Sequence, residues 1–210
     1  MKCWEHLNFS RIMVMAAGFF MMQNAVNVLQ NITPVILEQA DFGNLGFYAS
    51  SSVFLTMGFA SFSAAPQLRY FGYKYTMVIG ICTYLIYTSC QLLALYYASG
   101  KLQELKSMIY GLNITFAFLN GWGNALLFVC ASSYVNDAAN EHNKGMYNSI
   151  LWIANCGSFV TGNLMAAFVV PALGNIVYFW MCLGLLVVTL CFFFLLKNPL
   201  PQPEEDLDES

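Results

Sequence analysis

The sequence predicts an all-α, polytopic membrane protein with six transmembrane helices, and three observations lead to this fold class. Of the 210 residues, 59% are apolar and only 9% are charged, whereas about a quarter of the residues of a soluble domain are charged. Apolar runs recur along the chain, and each is long enough to cross a hydrocarbon core about 30 Å thick. All charged residues except Arg11 lie before, between or after these runs, as in the loops and ends of multi-pass membrane proteins.

The apolar runs define the expected spans and a terminal tail. Residues 1–198 form the predicted transmembrane domain, and residues 199–210 form an acidic, proline-containing tail that we expect to be disordered. Pro66 should end the second helix and Pro171 the fifth, because proline removes a helical hydrogen bond. The spans are expected at about residues 9–36, 45–64, 76–97, 108–134, 147–170 and 176–196.

The second half of the first helix is polar on one side. Gln23, Asn24 and Asn27, together with Gln30 and Asn31, fall within about 120° of arc at 100° per residue. Carboxamides in hydrocarbon are costly unless they find partners or water. The stripe therefore either forms hydrogen bonds to neighbouring helices or lines a solute path.

Helices four and five carry further amides. Asn113, Asn120 and Asn124 are spaced at i, i+7 and i+11, so they share one face of helix four. Helix five has a similar stripe that includes Trp152. We predict that the amides converge on one polar interior, either a packed seam or a shallow cavity wall. Its members are Gln23, Asn24, Asn27, Asn120, Asn124, Asn148, Asn155 and Asn163.

Small residues in helix five predict a close contact between helices. Gly157, Ser158, Thr161 and Gly162 form two overlapping small-xxx-small pairs, a spacing that lets two backbones approach. By helical spacing we expect them on a different side from the asparagine stripe. One face of the helix would then pack against a neighbour while the other faces inward.

Candidate modification and metal sites are few. Asn31 begins an Asn-Ile-Thr sequon close to the first loop and is a candidate glycosylation site. Most of the seven cysteines lie inside apolar runs, with no CxxC pair and no metal-ligand spacing. We interpret them as packing residues, and we predict neither a metal nor a cofactor.

Lysine and arginine predict the orientation. An even number of helices places both termini on one side of the membrane. By the positive-inside rule that side is the cytoplasm, because it carries six of the eight basic residues: Lys2, Arg11, Arg69, Lys74, Lys144 and Lys197.

Several motifs resemble a known family. Six helices, cytoplasmic ends and a basic turn with Arg69, Gly72 and Lys74 after helix two resemble one half of a major facilitator superfamily transporter. The stretch 121–164 is similar to the Unc ninety-three-like branch, especially its major-facilitator-domain-containing-protein-eleven-like members. The motifs that carry this similarity are Gly121-x-Gly123, Asn143-Lys144-Gly145, Tyr147-Asn148-Ser149-Ile150-Leu151-Trp152 and Gly162-Asn163-Leu164.

The resemblance implies that helices one, four and five line a central cavity. It also implies a role in regulating ion channels or accompanying membrane receptors. The chain departs from the superfamily at Arg69 and Tyr70, where an Asp and an Arg usually stand before the glycine, so a gating carboxylate is missing. It also carries six helices where full-length members have about twelve.

The sequence excludes several function classes. It has no Ser/His/Asp set, no phosphate loop and no pair of embedded carboxylates, so we expect no enzyme, and no basic patch indicates nucleic acid. We expect a Unc ninety-three-like protein that regulates or accompanies other membrane proteins. The alternatives are a half-size transmembrane solute transporter acting as a dimer and an accessory subunit of a larger complex. The expected partners are the lipid bilayer and a second copy or another membrane protein that completes the missing half.

Overall fold

Five helices make up most of the protein. The computed structural model describes residues 3–98, 100 and 105–200, so positions 201–210 of the predicted tail lie outside the described residues. All five helices are long and apolar enough to cross a membrane, and the all-α class is confirmed. The helices are α1 (Cys3–Leu37, extended by a π-helical turn, Glu38–Phe42), α2 (Leu45–Ala98), α3 (Lys106–Ala138), α4 (Lys144–Leu173) and α5 (Asn175–Leu195).

The second helix is broken at one glycine. Across its 54 residues, Gly72 has non-helical torsion angles of φ 75° and ψ 169°, a region that glycine enters readily because it lacks a Cβ atom. Pro66 lies inside the helix and does not end it, since losing one backbone hydrogen bond leaves the turns on either side intact. The prediction of separate second and third helices is therefore not confirmed as a helix count.

The fourth helix also continues past its proline. Pro171 lies inside α4, and the helix ends at Gly174, whose φ of 84° suits a glycine. The Gly174 N–H donates to the Val170 carbonyl at 2.9 Å. Helix ends lie beyond the predicted spans elsewhere too, because hydropathy detects only the length that crosses hydrocarbon, whereas helices continue into the polar interface.

Both halves of α2 lie against α3. A Cβ atom at Gly121 would collide with the Val53 carbonyl, and a Cβ atom at Gly123 would collide with the Thr83 side chain. The two glycines are about 3 Å apart along the axis of α3, whereas an unbroken helix would separate Val53 from Thr83 by about 45 Å. The chain therefore reverses direction at the break.

One end of the bundle gathers both termini of α2. Phe42, just before α2, packs against Tyr97 near its end, with ring centroids 4.8 Å apart. At the same end, Lys106 donates to a carboxylate oxygen of Asp41 at 2.8 Å. The π-helical turn and the starts of α2 and α3 consequently meet here.

The opposite end gathers the first and last described parts of the chain. The Asn8 amide donates to the Ala138 carbonyl and to the Leu200 carbonyl, each at 3.2 Å, and its oxygen accepts the Leu200 N–H at 3.0 Å. Tyr73, next to the break in α2, donates its hydroxyl to Asp137. The start of α1, the break, the end of α3 and the segment after α5 therefore lie together.

We predict that Gly123→Ala destabilises the protein by about 1–3 kcal/mol, the usual cost of overpacking a tight contact. The added methyl would collide with Thr83. The matched control is Gly111→Ala in the same helix, where no atom of the described residues lies within 4 Å of the new Cβ. The control should be neutral or stabilising by about 0.5–1 kcal/mol through helix propensity.

Thermal unfolding of the purified protein in detergent, with the two variants side by side, provides the measurement. Equal unfolding midpoints for Gly123→Ala and Gly111→Ala would contradict the close approach of α3 to α2.

Candidate functional site

One face of α4 packs against α1, and we call this contact the α1/α4 seam. Ser158 and Gly162 follow Asn155 by three and seven residues, so all three share the buried side of α4. The expectation that the small residues and the asparagine stripe occupy different sides is therefore wrong for Asn155. The buried face of α4 consists of Tyr147, Leu151, Asn155, Ser158, Gly162 and Ala166.

The seam brings two backbones into contact at Gly162. A Cβ atom there would lie 2.8 Å from the Asn24 carbonyl oxygen and 2.9 Å from a methyl carbon of Val28. One turn earlier, a Cβ at Gly157 would lie 3.5 Å from the Phe20 ring. The small residues predicted to form a helix contact thus face α1.

Two side-chain hydrogen bonds cross the seam. The Asn27 amide donates to the Ser158 hydroxyl at 3.2 Å, and the Thr161 hydroxyl donates to the amide oxygen of Asn24 at 2.6 Å. The Asn24 nitrogen donates to the Phe20 carbonyl within its own helix at 2.9 Å. These two hydrogen bonds link α1 to α4, in the way that polar side chains commonly join membrane helices.

Other buried amides near the middle of the bundle have unused hydrogen-bonding atoms. Asn120 is fully buried, and neither its oxygen nor its nitrogen bonds to any described residue. The side-chain oxygens of Asn124 and Asn155 are likewise buried without a described partner. An unsatisfied buried polar group costs about 1–3 kcal/mol, and such groups in folded proteins are usually met by water or a ligand.

A small cleft lies next to Asn155, where α1, α3 and α4 meet. Its walls include Phe19, Phe128, Ser132 and Trp152, and its volume is about 10 Å³. This is close to the least space that holds one water molecule. The Phe19 and Phe128 rings pack edge to face across it, with centroids 5.4 Å apart, so the interior is narrow in this conformation.

Two of the predicted interior amides lie elsewhere. Asn148 is half-buried near the start of α4 and donates to the Lys144 carbonyl at 3.0 Å. Asn163 is exposed and donates to the Phe159 carbonyl at 2.7 Å, since it stands about 80° around the helix from Asn155. The structure thus places neither at the seam, whereas Gln23, Asn24, Asn27, Asn120, Asn124 and Asn155 are buried.

The predicted loop motif lies at the break in α2. Arg69 is exposed, Gly72 makes the break, and the Lys74 ammonium lies 5.7 Å from the centre of the Phe194 ring. The bond between Tyr73 and Asp137 is not predictable from the sequence, because a contact between residues so far apart in the chain leaves no local pattern.

The predicted glycosylation sequon at Asn31 lies inside a helix. Asn31 is exposed but lies within α1, and the Thr33 of its sequon is buried, so an acceptor loop is not available in this fold. Among the described residues, no group of three or more His, Cys, Asp or Glu side chains is placed to hold a metal ion.

The chain matches the model of a known protein family. The family model described as Major Facilitator Superfamily matches residues 12–210, which is nearly the whole chain. No curated protein and no solved structure matches the chain.

We predict that Gly162→Ile separates α1 from α4 and lowers stability by about 1–3 kcal/mol, an overpacking-scale cost, because the new side chain would collide with Asn24 and Val28. The control is Gly184→Ile in α5, where a Cβ meets nothing within 4 Å. Thermal unfolding in detergent measures both. A midpoint for Gly162→Ile as high as that of the control would reject the seam as a tight contact.

Proposed function

This chain belongs to the major facilitator superfamily, and we propose that it forms one half of a membrane unit that transports a small, polar, uncharged solute. The observation that carries this proposal is the group of buried amide atoms of Asn120, Asn124 and Asn155 that have no partner among the described residues. In an apolar interior such atoms favour water or a solute with hydroxyl or amide groups. The family match supports a transporter-type membrane protein.

The charge distribution favours an uncharged solute and passive transport. Between Arg11 and Glu38, and again between Lys144 and Lys197, the sequence has no Asp, Glu, Lys or Arg. Proton-coupled transporters generally need an ionisable group inside the membrane. A path lined by amides alone would recognise hydrogen-bonding groups and let the solute move down its gradient.

We propose six membrane crossings, with α2 crossing twice. The contacts of Phe42 with Tyr97 and of Tyr73 with Asp137 support this topology, because they place both ends of α2 at one end of the bundle and its break at the other. The concentration of lysine and arginine at the end with the break supports cytoplasmic termini.

A transport unit in this superfamily has two six-helix bundles that rock against each other around a site between them. We therefore propose that a second bundle, from a second copy or another membrane protein, covers the polar interior. The exposed apolar residues of α4, among them Trp152, Ile153 and Phe168, offer a surface for it. The Unc ninety-three-like assignment stays a prediction, since the family match reaches only the superfamily.

The topology is tested with single cysteines in a background without native thiols. Glu38 precedes α2 in the sequence and Ser107 follows it, and both side chains are exposed. Tyr70 is exposed next to the break at Gly72. If α2 crosses twice, Glu38→Cys and Ser107→Cys react with an impermeant reagent added outside intact cells, and Tyr70→Cys reacts only after permeabilisation. Labelling of positions 38 and 107 from opposite sides would show that α2 crosses once.

The polar interior is tested with Asn124→Cys in the same background. A wet interior predicts reaction with a small polar thiol reagent in the membrane-embedded protein, as at an exposed His142→Cys control. If the cysteine at position 124 does not react while the cysteine at position 142 does, water does not reach the interior, and the amides serve only to join helices.

The transport role is tested by uptake of small uncharged polar solutes, such as sugars and polyols, into proteoliposomes. Asn120→Leu should abolish uptake because it removes an interior amide. Asn163→Leu should not, because that amide is exposed and bonds within its own turn. Equal uptake by both variants, or none by the unmodified protein across the panel, would count against the proposal.

A further inference from the structure

A groove outside the polar interior lies at the end of the bundle where the two termini meet. It runs between the start of α1 and the end of α5, and its volume is about 280 Å³. Two cationic side chains, Arg11 and Lys197, line it together with Ser10 and the apolar residues Val14 and Leu195. Among the residues that the structure describes, none that lines the groove carries a carboxylate.

The position of Arg11 is held by the segment that follows α5. Its guanidinium donates to the Asn198 carbonyl at 2.6 Å, and Tyr134 donates its hydroxyl to the neighbouring Lys197 carbonyl at 2.7 Å. A guanidinium carries five N–H donors, so the bond to Asn198 leaves donors for a further acceptor. The Lys197 side chain is exposed and can approach the same acceptor.

The groove changes from cationic to apolar with depth. Val14 lies one turn further into the bundle than Arg11, about 4.5 Å along α1. Leu195 is the last residue of α5 and precedes Lys197 by two residues. Val14 is 39% exposed and Leu195 is 79% exposed, so both present apolar surface next to the two charges. A ligand complementary to the groove would place an anionic group beside the two cations and a hydrocarbon chain against the apolar surface of Val14 and Leu195.

We propose that this groove binds an anionic phospholipid, with the phosphate between Arg11 and Lys197 and an acyl chain against Val14 and Leu195. Basic pockets between membrane helices on the cytoplasmic side are suited to anionic headgroups. A soluble phosphate would use the cations but not the apolar wall, and a zwitterionic lipid would bring its own positive charge close to both cations. The combination therefore favours a lipid with net negative charge.

The proposal is tested on the full chain in detergent by native mass spectrometry, counting bound lipids during titration. The probes are palmitoyl-oleoyl phosphatidylglycerol, phosphatidylcholine with the same chains, and glycerol phosphate as the free headgroup. Each basic residue near an anionic surface contributes about 1 kcal/mol, or about fivefold in affinity. Lys197→Gln and Arg11→Gln should each weaken phosphatidylglycerol binding by about fivefold, and the double variant by about 25-fold.

Matched controls separate the groove from general charge effects. Arg69→Gln removes an exposed cation at the same end of the bundle but outside the groove, and it should leave binding unchanged. Lys197→Gln keeps the bond between Arg11 and Asn198, so it reports on the groove even if Arg11→Gln folds poorly. Equal binding of the two lipids, an equal loss in Arg69→Gln, or glycerol phosphate binding as tightly as the lipid would each overturn the proposal.

Discussion

The contact of α3 with both halves of α2 is the constraint on which the rest of the bundle depends. Gly121 admits the Val53 carbonyl, and Gly123 admits the Thr83 side chain. A third glycine, Gly80, brings α2 so close that a Cβ there would lie 3.0 Å from the Gly123 carbonyl. In hydrocarbon the driving force for such contacts is close packing, because lipid tails are as apolar as the side chains. Once these three helical segments are in place, the reversal at Gly72 follows.

The buried amides fall into two groups, which differ in whether their polar atoms have partners. The α1/α4 seam combines backbone approach at Gly162 with the bonds of Asn27 and Thr161. By contrast, Asn120 and Asn124 on α3 have buried atoms without described partners. Membrane hydrogen bonds contribute only about 0.6 kcal/mol on average, so the satisfied amides add more specificity than stability. The amides without partners raise the free energy of an interior that holds no water. The interior therefore favours water or a polar solute, as the proposed solute path requires.

The end of the bundle with both termini is held by side chains that bind backbone. Asn8, Arg11 and Tyr134 bond to carbonyl or N–H groups of residues 197–200. Residues 197–200 lie beyond the end of α5, and these bonds satisfy three of their carbonyl groups and the N–H of Leu200. They also position Lys197 beside α1, which creates the cationic groove as a consequence of satisfying the backbone.

The amino-acid sequence by itself determined that the protein is all-α and embedded in a membrane, because apolar runs long enough for the bilayer leave no other stable backbone arrangement. It also located the helix-packing residues around Gly162 and most of the buried amides, since helical spacing places residues on faces. It could not determine where α2 breaks. Pro66 and Gly72 are both helix breakers in the sequence, and only tertiary packing decided that the helix runs through the proline and turns at the glycine.

The partners of each amide were likewise decided by the tertiary structure. Helical spacing put Asn155 and Asn163 in one stripe, yet the first is buried and the second exposed, because α4 presents only a narrow face to α1. The bonds of Asn8 with Leu200 and of Tyr73 with Asp137 join residues far apart in the chain. Periodicity describes which residues share a face of one helix, whereas the neighbour that this face meets depends on how all the helices pack together.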